Sequence, residues 1–168
     1  SASLLRSLEI PPDGGGDTSW MNMEAAYEAL PAELKHAVAG RSIKHDAVYV
    51  SSGRQRPGTV APASGDIRDI AGAVHPIVRT HALTGRRSLY LGKRFNAYVM
   101  GMDVAESEKL LDALWAHVLG GDFAWTQHWQ VGDMMIWDNR STMHQRGAFD
   151  PATRRLLHRV VVKGEKPA

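Results

Sequence analysis

Leu110, Leu111, Leu114, Trp115 and Val118 recur at helical spacing, which places them on one face of an α-helix. Asp103, with Glu106 following in the next turn, forms a capping pair ahead of that stripe, and Gly120-Gly121 ends it. Two shorter helices are predicted upstream. Asn22 caps one containing Ala25, Ala26, Ala29 and Leu30, and Pro31 opens another with Leu34 and Val38 on one side, closing at Gly40. Elsewhere apolar positions alternate or fall in short runs bounded by turn residues, the mark of strands. Ser1 to Ile10 reads as a strand entered midway, followed by a turn over Pro11 to Gly16. Ala47 to Ser51, Phe123 to Val131, Met134 to Trp137 and Leu156 to Val162 also read as strands. Ile77 to His81 and Ser88 to Leu91 flank Thr84-Gly85-Arg86 as a hairpin. Residues 53–73, rich in Gly, Pro, Ser and charge, show little periodicity and predict a long loop, a candidate mobile lid. The expected fold is mostly β with flanking α-helices, a sheet sandwich or jelly roll whose interior can hold a ligand.

The 168 residues amount to one domain, long enough to bury a core unaided. With 43% apolar and 23% charged residues, neither disorder nor a membrane class is indicated. Apolar runs such as Met134 to Trp137 are far too short to span a bilayer, and no signal pattern opens the chain. The expectation is a soluble, cytoplasmic protein with no membrane partner. Its 20 Lys and Arg against 18 Asp and Glu are scattered, which argues against nucleic acid as a partner. The chain has no cysteine. That removes disulfides, thiolate metal sites and cysteine nucleophiles, and leaves His and carboxylate for any metal.

The stretch from Trp137 to Val162 concentrates cationic chemistry. Arg155 and Arg159, four apart in an expected strand, would face one side roughly 13 Å apart at about 3.3 Å per residue. A guanidinium fork suits carboxylate or sulfonate and stays protonated when buried, so two inward arginines predict an interior that holds anions. The alternative is that they pair with Asp150, Glu165 or another acid. His144 can offer a neutral imidazole to iron or another divalent metal with positions left open, or it can be structural. The other histidines lack partners at metal-ligand spacing.

Trp137-Asp138-Asn139-Arg140, then His144, then Arg154-Arg155-Leu156-Leu157-His158-Arg159, preceded by Gly15-Gly16-Asp17-Thr18, resembles the taurine dioxygenase and 2,4-dichlorophenoxyacetate dioxygenase family. These are iron(II)- and 2-oxoglutarate-dependent oxygenases. Further matches are His75-Pro76-Ile77-Val78-Arg79-Thr80-His81, Thr84-Gly85-Arg86, Gly101-Met102 and Gly132-Asp133, in order over nearly the whole chain. The resemblance implies a double-stranded β-helix, with Fe(II), O2 and 2-oxoglutarate as reaction partners. It gives His144 the part of the distal iron-binding histidine, Arg155 that of the arginine on the far carboxylate of 2-oxoglutarate, and Thr18 that of the supporting hydroxyl. Trp137 becomes part of the pocket wall, and Arg159 meets the anionic group of a small organic substrate, a sulfonate or an aryloxyalkanoate. Family members often associate, so a homo-oligomer is compatible.

The family's other iron ligands come from a His-x-Asp or His-x-Glu motif upstream of the Gly-Gly-Asp-Thr turn, and neither occurs in this chain. The resemblance thus implies a fold incomplete at its N-terminal side: residues 1–168 as the C-terminal portion of a single dioxygenase domain, with the motif falling shortly before Ser1. A second reading is a non-catalytic anion-binding or interaction domain of the same fold that lacks a complete metal site.

Overall fold

The computed structural model describes residues 1–164. Their strands are β1 (Ala2–Glu9), β2 (Thr18–Asn22), β3 (Ser42–Asp46), β4 (Gly72–Pro76), β5 (Val78–Thr80), β6 (Arg87–Leu89), β7 (Tyr98–Val99), β8 (Ala124–Gln127), β9 (Met134–Asp138), β10 (Thr142–Arg146) and β11 (Leu156–Val162). The helices are α1 (Met23–Glu28), α2 (Ala32–Val38) and α3 (Val104–Gly120), with a short 3-10 turn at Ile67–Asp69. The chain is mostly β with few helices, as expected.

Two three-stranded antiparallel sheets position the site, in the orders β11-β1-β9 and β10-β2-β8. They face each other through indoles. Trp20 of β2 meets Trp137 of β9 at a ring separation of 5.2 Å and Trp129 at 6.2 Å, and Leu5, Met135 and Leu157 pack around them. Large rings in tilted and edge contact contribute packing beyond the area they bury. Because strand side chains alternate, the opposite face of β10-β2-β8 sends Met21 and Met143 into a second, larger core. That core holds Leu110, Leu111, Leu114 and Val118 of α3 together with Met23, Ile43, Ile77 and Leu89. The smaller sheets β4-β3-β7 and β5-β6 frame it. On the outward face of β11-β1-β9, Met134, Ile136, Val160 and Val162 stay more than half exposed.

The helix signals behave as the sequence predicts. Asn22 Oδ1 accepts from the backbone N–H groups of Glu24 and Ala25, and Asp103 Oδ1 from that of Ala105. Several strands differ. Ala47 to Ser51 is not a strand; β3 lies just before it, and Asp46 Oδ1 instead accepts from the N–H groups of Val48 and Tyr49, turning the chain. The stretch from Phe123 to Val131 is a strand only to Gln127. Beyond it the Asp133 carboxylate takes the Gln130 N–H and the Gln127 amide, and Trp129 leaves the ladder to join the indoles. β2 and β10 form where no element was expected, and β4 begins inside the stretch expected as a long loop, residues 53–73, which also holds the 3-10 turn at Ile67–Asp69. Arg155 precedes β11 instead of lying in it, so its relation to Arg159 is not the simple alternation of one strand.

Candidate functional site

β2 and β10 build one wall of the space between the sheets. Their register sets Thr18 opposite Arg146 and Trp20 opposite His144. Cross-strand partners share a face, so these four residues form two rows on the inner surface. The rows are two residues apart, roughly 7 Å at about 3.4 Å per residue.

His144 occupies the first row, with its ring 5.0 Å from that of Trp137 on the facing sheet. Partial burial, and secondarily the charge of Arg159, lower its pKa, so the neutral, metal-ligating form is favoured. Trp137 is held in turn. Its indole Nε1 donates to Asn139 Oδ1 at 2.8 Å, and Asn139 Nδ2 donates to the buried Ser3 Oγ at 2.8 Å. The strand end beside it is clamped by Asp138, whose carboxylate accepts from the Arg140 guanidinium at 2.6 Å and contacts His81 Nε2 at 3.2 Å. Those arginine hydrogen bonds hold the Asp138 carboxyl well below the usual carboxylate range. Asp138 and Arg140 thus fasten the strand end to the β5-β6 hairpin.

Thr18 occupies the second row and is buried. Its Oγ1 accepts a hydrogen bond from Trp129 Nε1 at 3.0 Å. A hydroxyl whose acceptor side is taken by an indole N–H keeps its own proton to donate, which suits an anion. The preceding residue, Asp17, holds His128 Nδ1 through its carboxylate. Arg155 lies beside this turn, its Nε buried with no hydrogen-bond partner. It packs so closely on Gly16 that a Cβ there would come within 2.5 Å of that Nε. Burial first, and Arg146 second, lower the Arg155 pKa, while Asp17 opposes them. An arginine remains charged under such a shift, so a buried guanidinium nitrogen without an acceptor suits this arginine to an anionic partner.

The sequence-derived candidates therefore collect around one region. His144 and Trp137 touch across the two sheets, Arg159 acts electrostatically on His144, and Thr18 and Arg155 sit on and beside the neighbouring row. Asp150 does not pair with Arg155; it caps its own turn by accepting from Ala152 N at 2.9 Å. Glu165 lies outside the described residues. The expected pattern missed Arg146, Phe149 and Trp129. Alternation from His144 to Arg146 would have exposed the first, had residues 142–146 been read as a strand. His128, exposed at the edge of the site, is the partner of Asp17. For iron the fit is partial: His144 offers one imidazole, and among the described residues no group of three His, Cys, Asp or Glu side chains could hold a metal ion. For 2-oxoglutarate the Arg155, Gly16 and Thr18 arrangement fits.

Residues 1–161 match the taurine catabolism dioxygenase TauD, TfdA family. The chain belongs to that family. It is 35% identical over 157 residues to the alpha-ketoglutarate-dependent 2,4-dichlorophenoxyacetate dioxygenase of Cupriavidus pinatubonensis, covering 94% of this chain and 53% of that protein. It is 33% identical over 170 residues to the alpha-ketoglutarate-dependent sulfate ester dioxygenase of Pseudomonas putida, covering 99% of this chain and 56% of that protein. Among solved structures, AAD-2 in complex with Mn(II) and N-oxalylglycine superposes with a TM-score of 0.82 at 30% identity, over 99% of this chain and 64% of that one. A taurine dioxygenase from Burkholderia xenovorans gives a TM-score of 0.79 at 35% identity, over 99% of this chain and 53% of that one. This TauD/TfdA chain thus spans little more than half the length of the curated relatives it matches.

Proposed function

We propose that the protein is an iron(II)- and 2-oxoglutarate-dependent dioxygenase that hydroxylates a small anionic organic molecule of the sulfonate or aryloxyalkanoate type. Residues 1–168 would form the C-terminal portion of its single, double-stranded β-helix domain. One observation carries the reading: a buried, unpartnered arginine nitrogen at Arg155 lies beside the Thr18 turn, and the Thr18 row lies two residues along the strands from the His144 row. That offset, roughly 7 Å at about 3.4 Å per residue, is about the length of a five-carbon dicarboxylate. The Arg155 fork holds the far carboxylate by charge-assisted hydrogen bonds, and the Thr18 hydroxyl, its acceptor side taken by Trp129, adds a directed donor. The keto acid end then reaches the His144 row. Iron, when bound with donors from beyond these residues, supplies oxygen activation coupled to decarboxylation of 2-oxoglutarate to succinate. Trp137 walls the pocket next to His144 and excludes water, and Arg159, whose charge is felt at His144, orients the anionic group of the substrate.

The names of the relatives support this reading, since they act on a phenoxyacetate and on sulfate esters. The test is succinate release by the complete protein with iron, ascorbate and 2-oxoglutarate, screened over sulfonates, aryloxyacetates and sulfate esters. Substrate-stimulated succinate is the expected result. Absence of 2-oxoglutarate binding by the iron-loaded protein would end the proposal. The second reading, a non-catalytic anion-binding domain, is favoured by one observation, the lack of a three-donor group among the described residues. It predicts dicarboxylate binding that is indifferent to metal.

A further inference from the structure

Arg146 stands in the inner rows of the site without a role in the proposed chemistry; β10 carries it on the same face as His144, two residues further along and opposite Thr18. Its guanidinium lies 4.7 Å from the centre of the Phe149 ring, and the guanidinium of Arg155 lies 6.0 Å from the same centre. The Phe149 side chain packs along the Gly15-Gly16 backbone: a Cβ on Gly15 would stand 3.0 Å from Phe149 Cβ, and one on Gly16 would stand 3.4 Å from the ring carbon Cδ1. Two cations therefore share one aromatic spacer, which limits how far either can swing away. Among the described residues neither is ion-paired with a carboxylate. The hydrogen bond of the Arg146 guanidinium goes to its neighbour Gly147, to the carbonyl oxygen at 3.1 Å, and Arg155 Nε is unpartnered. The nearby acid, Asp17, already serves His128 and the Trp129 N–H.

The charges do not balance as they stand. Two guanidiniums act on each other across one ring, with the Asp17 carboxylate acting on Arg155 alone, and like charges held close repel. One further anionic group placed between Arg146, Arg155 and Thr18 brings the count to two of each sign. We propose that Arg146 is a second cosubstrate arginine, which binds the far carboxylate of 2-oxoglutarate jointly with Arg155. This rests on the 2-oxoglutarate reading above and deepens it. The strand supplies the spacing: His144 and Arg146, two residues apart on one face, mark the metal end and the far-carboxylate end of the same ligand. Thr18 donates from the neighbouring strand at the Arg146 row.

Calorimetric titration of the complete, Mn(II)-loaded protein separates the possibilities when two ligands are compared. 2-Oxoglutarate carries the far carboxylate; 2-oxopentanoate has the same keto acid head and lacks it. Arg146→Gln is expected to weaken 2-oxoglutarate roughly 10- to 100-fold, the loss typical of one charge-assisted hydrogen bond, and to leave 2-oxopentanoate within about twofold of wild type. Arg146→Lys should recover part of the loss. The proposal is overturned if Arg146→Gln leaves 2-oxoglutarate affinity intact while Arg155→Gln destroys it. Equal weakening of both ligands also overturns it, by assigning Arg146 a structural role. A wild-type protein that binds no 2-oxoglutarate removes this inference together with the functional reading, an outcome unlike either of the others.

Discussion

Gly16 is where backbone conformation and ligand chemistry meet most closely. It sits at φ +83°, a region that costs an L side chain strain, and Arg155 fills the space a Cβ would need. Gly16→Ala should lower stability by about 1–3 kcal/mol and, by displacing the guanidinium, weaken 2-oxoglutarate binding out of proportion to the loss of fold. Thermal melts alongside calorimetry check both parts. Arg159 makes the opposite kind of prediction. It is exposed, stands opposite Leu5 on the inward face of its sheet, and its charge is felt at His144, so Arg159→Ala should reduce kcat/KM for an anionic substrate roughly 10- to 100-fold with cosubstrate affinity little changed. A parallel fall in 2-oxoglutarate affinity would place Arg159 elsewhere. His144, Arg155 and Thr18 could be singled out as candidates because they fall within a motif whose order and spacing are specific. Trp129 and Phe149 were not, because nothing in a sequence says that an indole will donate to Thr18 or that a ring will stand between two arginines.

At the scale of elements, the strands that were easy to read are those with an apolar face, β9 and β11, and the helix with the clearest stripe, α3. β2 and β10 escaped because their inner faces carry the site. Thr18, His144 and Arg146 break the alternation of apolar residues that marks a strand, and tertiary pairing overrides weak local preference. Register matters more than usual here. A slip of one residue between β2 and β10 would turn His144 and Arg146 to the helix-facing side and bring Met143 inward. Trp20 guards against that by its contacts with Trp125, Trp129 and Trp137 from neighbouring and facing elements. Trp20→Ala should cost about 3–5 kcal/mol in denaturant unfolding, the usual range for a buried aromatic truncated to Ala. An effect under about 1 kcal/mol, within the range of a surface substitution, would show that the sheets do not depend on this contact.

At the scale of the whole molecule, acid sensitivity follows from a residue far from the motif. His45 packs against His75 and Tyr90 with its Nε2 buried and unpartnered. Burial, His75 and Lys93 together push its pKa down from 6.5 to about 4. The folded state thus holds His45 neutral while the unfolded chain takes up a proton below pH 6.5, so this contribution to stability is full above that value and is lost as pH falls towards about 4. The loss is on the order of 3 kcal/mol at about 1.4 kcal/mol per pH unit, and His45→Gln should flatten the stability profile across that window. A variant as acid-sensitive as wild type would assign the loss to other groups. The mostly β class and the flanking helices were readable from periodicity, whereas the face-to-face pairing of two particular sheets emerged only from the indole contacts. The central claim is that side chains from the two sheets converge on one dicarboxylate. Titration of 2-oxoglutarate into the Mn(II)-loaded complete protein tests it most directly. Wild type should bind in a metal-dependent way, His144→Ala should remove the dependence on metal, and Arg155→Gln should weaken binding at least about 30-fold, as expected for truncating one side of a buried charge pair. Binding unchanged by either substitution would contradict the account.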